Sequence, residues 1–287
     1  MPRAVKTPVP APTTGTPTHI MLPDGYGTHP YDELLLKGSS SQKARLMLGI
    51  PTTGLTRSEF WLALRALGIP TNWSSSERIF FLNESMPIGY SVADARNIIV
   101  EAAVQHNFEW LLFIDHDVLV PKHLFVTLNQ YMLHADRPLV SGLYFTKSNP
   151  AEPLVYRGRG NSYYRTWQLG DTFDVDGCGM GLMLMSVALL KVMWEDAPEY
   201  LADGKYLVRK VFETPSMSWI DTETLEYRSF TATEDLSFFT RMHEGGYLAK
   251  AGFPKVAKKK YPIRMDTSLF AYHIDNAGIR YPIDLKW

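Results

Sequence analysis

The stretch that most constrains this chain is Trp110-Leu111-Leu112-Phe113-Ile114, an apolar run that leads directly into Asp115-His116-Asp117. A continuous apolar run of that length, bounded by turn and helix signals, reads as a strand buried on both faces in a mostly parallel sheet. Ligands of such sheets gather at the carboxyl ends of strands, where Asp115 and Asp117 stand. Acids packed together raise each other's proton affinity unless a cation lies between them. A divalent metal meets that need, because hard carboxylate oxygens suit Mg²⁺ or Mn²⁺. A metal held by only one or two of them keeps positions open for a diphosphate. The spacing alone is a weak signal: the chain repeats it at Asp174-Val175-Asp176, and Asp117 could equally cap the helix that Pro121 opens.

With 287 residues, the chain is long enough for one large α/β domain with appendages. A formal net charge of −1 provides no global attraction to nucleic acid or membrane, so any such partner must be met by a local patch. Cys178 is the only cysteine, which excludes an internal disulfide and a multi-thiolate zinc site and fits a reducing compartment. No apolar run reaches the length of a membrane span, and the N-terminus lacks the apolar core of a signal peptide. The expectation is a cytoplasmic protein, in a host cytoplasm if virus-encoded.

Residues 1–42 are rich in Pro and Thr and show no periodicity, which predicts a disordered or extended N-terminal arm ahead of a single domain over 43–287. A first strand, Arg45 to Ile50, ends in Pro51-Thr52-Thr53-Gly54 before a helix near Arg57 to Leu67. That loop is either a seat for a nucleotide base and ribose or an ordinary βα turn. A second strand is expected over Arg78 to Leu82. Ser91-Val92-Ala93-Asp94 opens a helix through about Gln105. Arg96 and Asn97 lie in its first turns, where the helix dipole disfavours a cation. Arg96 therefore serves a nearby anion or carboxylate, or pairs with Asp94 or Glu101 on a solvated face.

A helix from Pro121 to about Leu133 and a strand from Pro138 to Phe145 follow. Tyr156, Arg157, Arg159, Tyr163, Tyr164, Arg165 and Trp167 then form an aromatic and basic stretch, either an acceptor surface or a hairpin packed on the sheet. Gly177-Cys178-Gly179-Met180-Gly181 leaves backbone that no side chain obstructs. It leads into an apolar strand from Leu182, so it is not a dinucleotide fingerprint. Thr233-Glu234-Asp235 opens a helix closed by Gly245-Gly246, with Thr233 as its expected N-cap. A basic run, Lys255 to Arg264, and His273-Ile274-Asp275 complete the pattern.

Taken in order, these segments resemble the GT-A nucleotide-sugar glycosyltransferases, most closely their large inverting family 2. The likeness spans about residues 44–275 and lies in the sequence of Pro51-Thr52, Ala95-Arg96-Asn97, Asp115-His116-Asp117, Pro121, Gly177 to Gly181 and Glu234-Asp235 through Gly246-Tyr247. It implies a Rossmann-like GT-A fold with a mostly parallel central sheet flanked by helices. It also implies a nucleoside-diphosphate sugar donor, a UDP-sugar first among them, and Mn²⁺ or Mg²⁺. By this resemblance Pro51, Thr52, Thr53, Arg96, Asn97, Asp115 and Gly179 bind the donor. Asp115, Asp117 and His273 hold the metal, and Asp235, with Glu234 beside it, is the catalytic base. The family's basic patch after the histidine is missing here and lies before it instead.

A haloacid-dehalogenase-type phosphatase also ends an apolar strand in Asp-x-Asp. Its motif, however, usually sits on the first strand with Thr or Val two residues beyond the second Asp, where this chain has Leu119. A non-catalytic nucleotide-sugar-binding module is the other alternative. The acceptor is left open among a glycan, a lipid-linked sugar, a protein and a hydroxymethylated base in DNA, the last as in a phage DNA-modifying enzyme.

Overall fold

A seven-stranded sheet carries the architecture of the computed structural model, which describes residues 46–283 apart from 71–72, 74–78, 81–84, 159–161 and 164–166. The expected arm over residues 1–42 lies outside the described residues, as do Arg78, Arg159, Tyr164 and Arg165. In spatial order the strands are Ile79–Phe80, Leu46–Gly49, Trp110–Ile114, Leu182–Ser186, Leu139–Leu143, Ile263–Phe270 and Thr172–Val175.

The Trp110 strand sits where its composition requires. Leu111 and Phe113 join Met47, Ile99, Ala103, Met183 and Met185 in one buried cluster, while Trp110, Leu112 and Ile114 join Leu46, Leu48, Leu128 and Leu184 in another. Alternate residues of one strand thus feed cores on the two sides of the sheet, which is why the run carries no polar residue. The helix Val92–Gln105 covers one side, its start fixed by Ser91 Oγ accepting the Asp94 N–H at 3.2 Å. Phe60 and the helix Leu124–His134 pack into the second cluster.

The sheet is mixed α/β rather than mostly parallel. Leu46–Gly49 runs parallel to both of its neighbours, and Leu139–Leu143 runs parallel to Ile263–Phe270. Leu182–Ser186 is antiparallel to the strands on either side of it, and Thr172–Val175 is antiparallel to Ile263–Phe270. The expectation failed for a physical reason: a strand buried on both faces has the same continuous apolar sequence in either direction. Two hairpins, Glu199–Ala202 with Tyr206–Arg209 and Ser216–Ile220 with Tyr227–Thr231, were not foreseen.

A second ladder positions the chemistry. Tyr272–Ile274 pairs antiparallel with Val118–Leu119, placing His273 opposite Val118, and the Ile274 N–H donates to the Asp117 carbonyl at 2.8 Å. The late histidine is thereby carried to the end of the central strand.

Because Phe113 is fully buried and packs edge-on against Phe212 at 5.8 Å, Phe113→Ala is expected to lower the free energy of unfolding by about 3–5 kcal/mol. Chemical denaturation checks this, and a loss below about 1 kcal/mol would contradict the placement of the strand at the centre of the core.

Candidate functional site

The carboxyl ends of the first and central strands meet at a cleft of about 180 Å³ whose lining includes Pro51, Thr52, Thr53, Asp115, His116 and Asp117. The Pro-Thr-Thr loop is an Asx-like turn in which Thr52 Oγ1 accepts the Gly54 N–H at 3.1 Å. Pro51 and Thr52 are buried and Thr53 is exposed to the cleft. His116 Nδ1 lies 3.2 Å from the Pro51 carbonyl and joins the two strand ends.

Beneath the cleft lies a buried cation. Arg96 is 2% exposed, and its Nη2 donates to both oxygens of Asp115, at 3.0 and 3.1 Å, while Nη1 pairs with Glu234. Of the readings open for Arg96, service to nearby carboxylates is the one the structure shows. Burial alone would lower its proton affinity, but the charges of Asp115 and Glu234 prevail and raise it, so the guanidinium is permanently charged. One side chain thereby ties the central strand to the first turn of the helix Glu234–Glu244. Glu234 is committed to this pair. Asn97 is not brought to the cleft. It is fully buried, with its amide donating to Tyr200 Oη at 2.8 Å and the Phe212 carbonyl at 2.9 Å, while its oxygen accepts the Phe212 N–H at 2.7 Å.

The glycine stretch is not open backbone. A Cβ on Gly179 would lie 2.1 Å from Tyr144 Oη, and one on Gly181 would lie 2.8 Å from the same oxygen and 2.9 Å from Asp115 Oδ2. The space over Gly179 is therefore filled by the Tyr144 phenol, which accepts the Gly181 N–H at 2.7 Å. Burial, followed by the charges of Asp115 and Asp235, pushes Tyr144 well above its ordinary value, so it stays protonated.

Asp235 occupies the second helical position. The Thr233 hydroxyl donates to its Oδ1 instead of capping the helix, and the Leu236 N–H reaches the same oxygen at 2.7 Å. Burial, aided by the Glu234 charge and opposed by Thr233, raises its pKa. Asp235 does not itself line the cleft. It is coupled to it through Arg96 and Tyr144, each of which feels the charges of both Asp115 and Asp235.

Asp117 faces another set of partners. Its Oδ1 lies 3.4 Å from His273 Nε2, and its Oδ2 takes the ammonium of Lys147. Burial would raise its pKa, but His273 and Lys147 outweigh that and hold the carboxylate ionised far below the usual range. The carbonyl of Phe145 lies 2.8 Å from His273 Nδ1; a carbonyl only accepts, so Nδ1 carries the hydrogen. In the neutral ring the Nε2 lone pair then faces a carboxylate oxygen, an acceptor against an acceptor, and a proton or a metal cation relieves that opposition. Such a carbonyl partner on the far nitrogen is the usual support of a metal-binding histidine. Asp117 and His273 therefore fit a metal ion as two ligands, leaving positions for other oxygens. Among the described residues, no three His, Cys, Asp or Glu side chains cluster as a complete cage.

Around the site Asp115, Asp117, Glu234 and Asp235 face two basic side chains, Arg96 and Lys147. The second Asp-x-Asp has a structural explanation. Asp174, on the edge strand, pairs with Arg264 at 2.9 Å, Lys259 at 3.0 Å and Arg137 at 3.5 Å. Part of the basic run is spent there. Arg157 donates to the Asp174 carbonyl and stacks on Tyr163, 3.7 Å from the ring centroid, so this part of the aromatic and basic stretch is packed on the sheet. Sequence reading missed Tyr144 and Lys147, although both follow a buried strand at its carboxyl end, as Asp115 does.

No family model matches the chain, nor does any curated protein. Among solved structures, A197 from STIV aligns with a TM-score of 0.49 and 18% identity, covering 84% of this chain and 92% of that one. S. aureus TarS 1–349 in complex with UDP aligns with a TM-score of 0.31 and 13% identity, covering 56% of this chain and 52% of that one. Superpositions this loose leave the assignment of roles to the site's own residues.

Two outcomes follow from the electrostatics. Arg96→Met leaves the half-buried carboxylates of Asp115 and Glu234 without their cation, and a loss of about 3 kcal/mol in unfolding free energy is expected. A loss under about 1 kcal/mol in chemical denaturation would show that the pair is not the tie described. Asp235 binds its proton more tightly folded than unfolded, so its stabilising contribution is complete below its unfolded pKa and is lost as pH rises through the folded one. Above that point its ionised form costs stability. Asp235→Asn should therefore unfold at a higher temperature than the parent at pH 8, with the gap closing toward about pH 4. A variant less stable than the parent at pH 8 would contradict the raised pKa.

Proposed function

We propose that the chain is a metal-dependent glycosyltransferase of the GT-A type that transfers a sugar from a nucleoside-diphosphate sugar to an acceptor hydroxyl. The observation that carries this reading is the convergence of Asp117 and His273 at 3.4 Å beside a cleft that the Pro51-Thr52-Thr53 turn also lines. The imidazole, its far nitrogen fixed by the Phe145 carbonyl, faces an ionised carboxylate as a pair of metal ligands would.

In this reading the cleft receives the nucleoside, with Thr52, Thr53 and the Asp115 end of the central strand against it. Asp117 and His273 hold Mn²⁺ or Mg²⁺, which when bound neutralises charge developing on the departing diphosphate. Arg96 opposes the rise in Asp115's proton affinity and holds its carboxylate in place from below. It also holds the helix that presents Asp235 at a fixed distance from the central strand. Asp235, its proton affinity raised by burial, takes the proton of the acceptor hydroxyl as that oxygen attacks the anomeric carbon. Glu234 anchors the helix through Arg96. A UDP-sugar is the first donor to test, inversion of configuration is the expected outcome, and residues 43–287 form the catalytic domain. No described helix is long and apolar enough to cross a membrane.

A panel of nucleotide sugars, assayed for Mn²⁺- or Mg²⁺-dependent release of nucleoside diphosphate, tests the proposal. Asp235→Asn should lower kcat by about 10²–10⁴-fold, and Asp117→Ala should abolish metal dependence together with turnover. Full activity in both variants would overturn the assignment, and a product with retained configuration would remove Asp235 from the base role.

A further inference from the structure

Lys147 belongs to the site, yet the transfer reaction described above gives it no task. It sits on a short loop closed by its own hydrogen bonds: the Thr146 N–H donates to the Glu152 carbonyl at 2.8 Å, the Glu152 N–H returns to Thr146 Oγ1 at 2.9 Å, and the Leu154 N–H reaches the Tyr144 carbonyl at 3.0 Å. The same loop supplies the Phe145 carbonyl that orients His273. A single built element thus aims the imidazole at Asp117 and, two residues later, delivers an ammonium to the other oxygen of that carboxylate.

The pair is poised rather than sealed. The side chains of Lys147 and Asp117 are 33% and 24% exposed, so the ammonium, on a flexible four-carbon stem, can leave without any movement of the loop. A lysine and a divalent cation on one carboxylate repel each other, so the two compete. Displaced from Asp117, the ammonium is a point charge beside the place where a diphosphate would lie, a role lysine fills in other phosphate sites.

We infer that Lys147 is the resident cation of the Asp117 site: it neutralises the carboxylate while the cleft is empty, holds metal affinity down, and turns to a phosphate oxygen when a nucleotide arrives. This rests on the nucleotide-sugar reading and deepens it. Metal and nucleotide then bind with positive coupling, which by linkage acts equally in both directions.

Mn²⁺ binding to the full chain, followed by the electron paramagnetic resonance signal of free Mn²⁺ with and without UDP, tests this without any turnover. Lys147→Met and Lys147→Gln should each bind Mn²⁺ about tenfold more tightly than the parent when UDP is absent, the scale of one partly shielded ion pair. UDP should tighten Mn²⁺ binding in the parent, and by about tenfold less in the two variants. Asp117→Ala should bind no Mn²⁺ in either condition. Unchanged or weaker Mn²⁺ affinity in both lysine variants, or a parent that UDP does not affect, overturns the inference while leaving the site reading intact as long as Asp117→Ala still abolishes binding. If Asp117→Ala binds Mn²⁺ as the parent does, the metal-site reading fails, and the inference fails with it.

Discussion

The structure around the cleft depends on a guanidinium that has almost no access to water. Removing a charge from solvent is costly, and Arg96 is tolerated at 2% exposure only because Asp115 and Glu234 face it from two different elements. Since either carboxylate without it would be a half-buried charge without its counterion, the central strand and the helix Glu234–Glu244 are held together. The arginine also protects the ionised state of Asp115, whose pKa burial still raises despite the pairing, with Asp117 and Glu234 adding to that rise. A salt bridge of this kind contributes little net stability compared with an apolar replacement. What it provides here is a fixed relation between the acids at a strand end and the acid at a helix start.

The same chain of constraints explains the glycines. Tyr144 must lie across Gly179 and Gly181 to accept the Gly181 N–H, and any Cβ at either position would occupy the phenol's place. The phenol, in turn, stands edge-on to the His273 ring, with centroids 5.5 Å apart. Imidazole, phenol and carboxylate are therefore packed as one unit on the end of the sheet, and the orientation of His273 is set by packing as well as by the Phe145 carbonyl.

Much of this was legible in the sequence because burial leaves a composition behind. The apolar run at Trp110 and the helices near Ser58, Val92, Leu124 and Glu234 stand where periodicity puts them, and Ser91 caps the second of these as its spacing foretold, whereas Thr233 does not cap the last. Strand direction was not legible, since Leu182–Ser186 has the same apolar alphabet whether it runs with or against its neighbours. Nor was the division of labour in the Ala95-Arg96-Asn97 stretch, where adjacent polar residues take opposite tasks: Arg96 reaches carboxylates under the cleft while Asn97 fastens the backbone at Phe212. Helical spacing shows which residues share a face, but not which distant segment will meet that face. Lys147 escaped for a related reason, because a lone lysine after a strand carries no pattern until a partner from another element gives it one.

As proposed, Asp117 and His273 together form a cation site at the mouth of the cleft. Crystals of the full chain grown with Mn²⁺ and UDP, with data collected for the anomalous signal of manganese, address it most directly. The account predicts one strong anomalous peak within bonding reach of both Asp117 Oδ1 and His273 Nε2, with a UDP phosphate beside it. Electron density for UDP in the cleft without manganese at that pair, or manganese held elsewhere while Asp117 and His273 keep their direct contact, would contradict it.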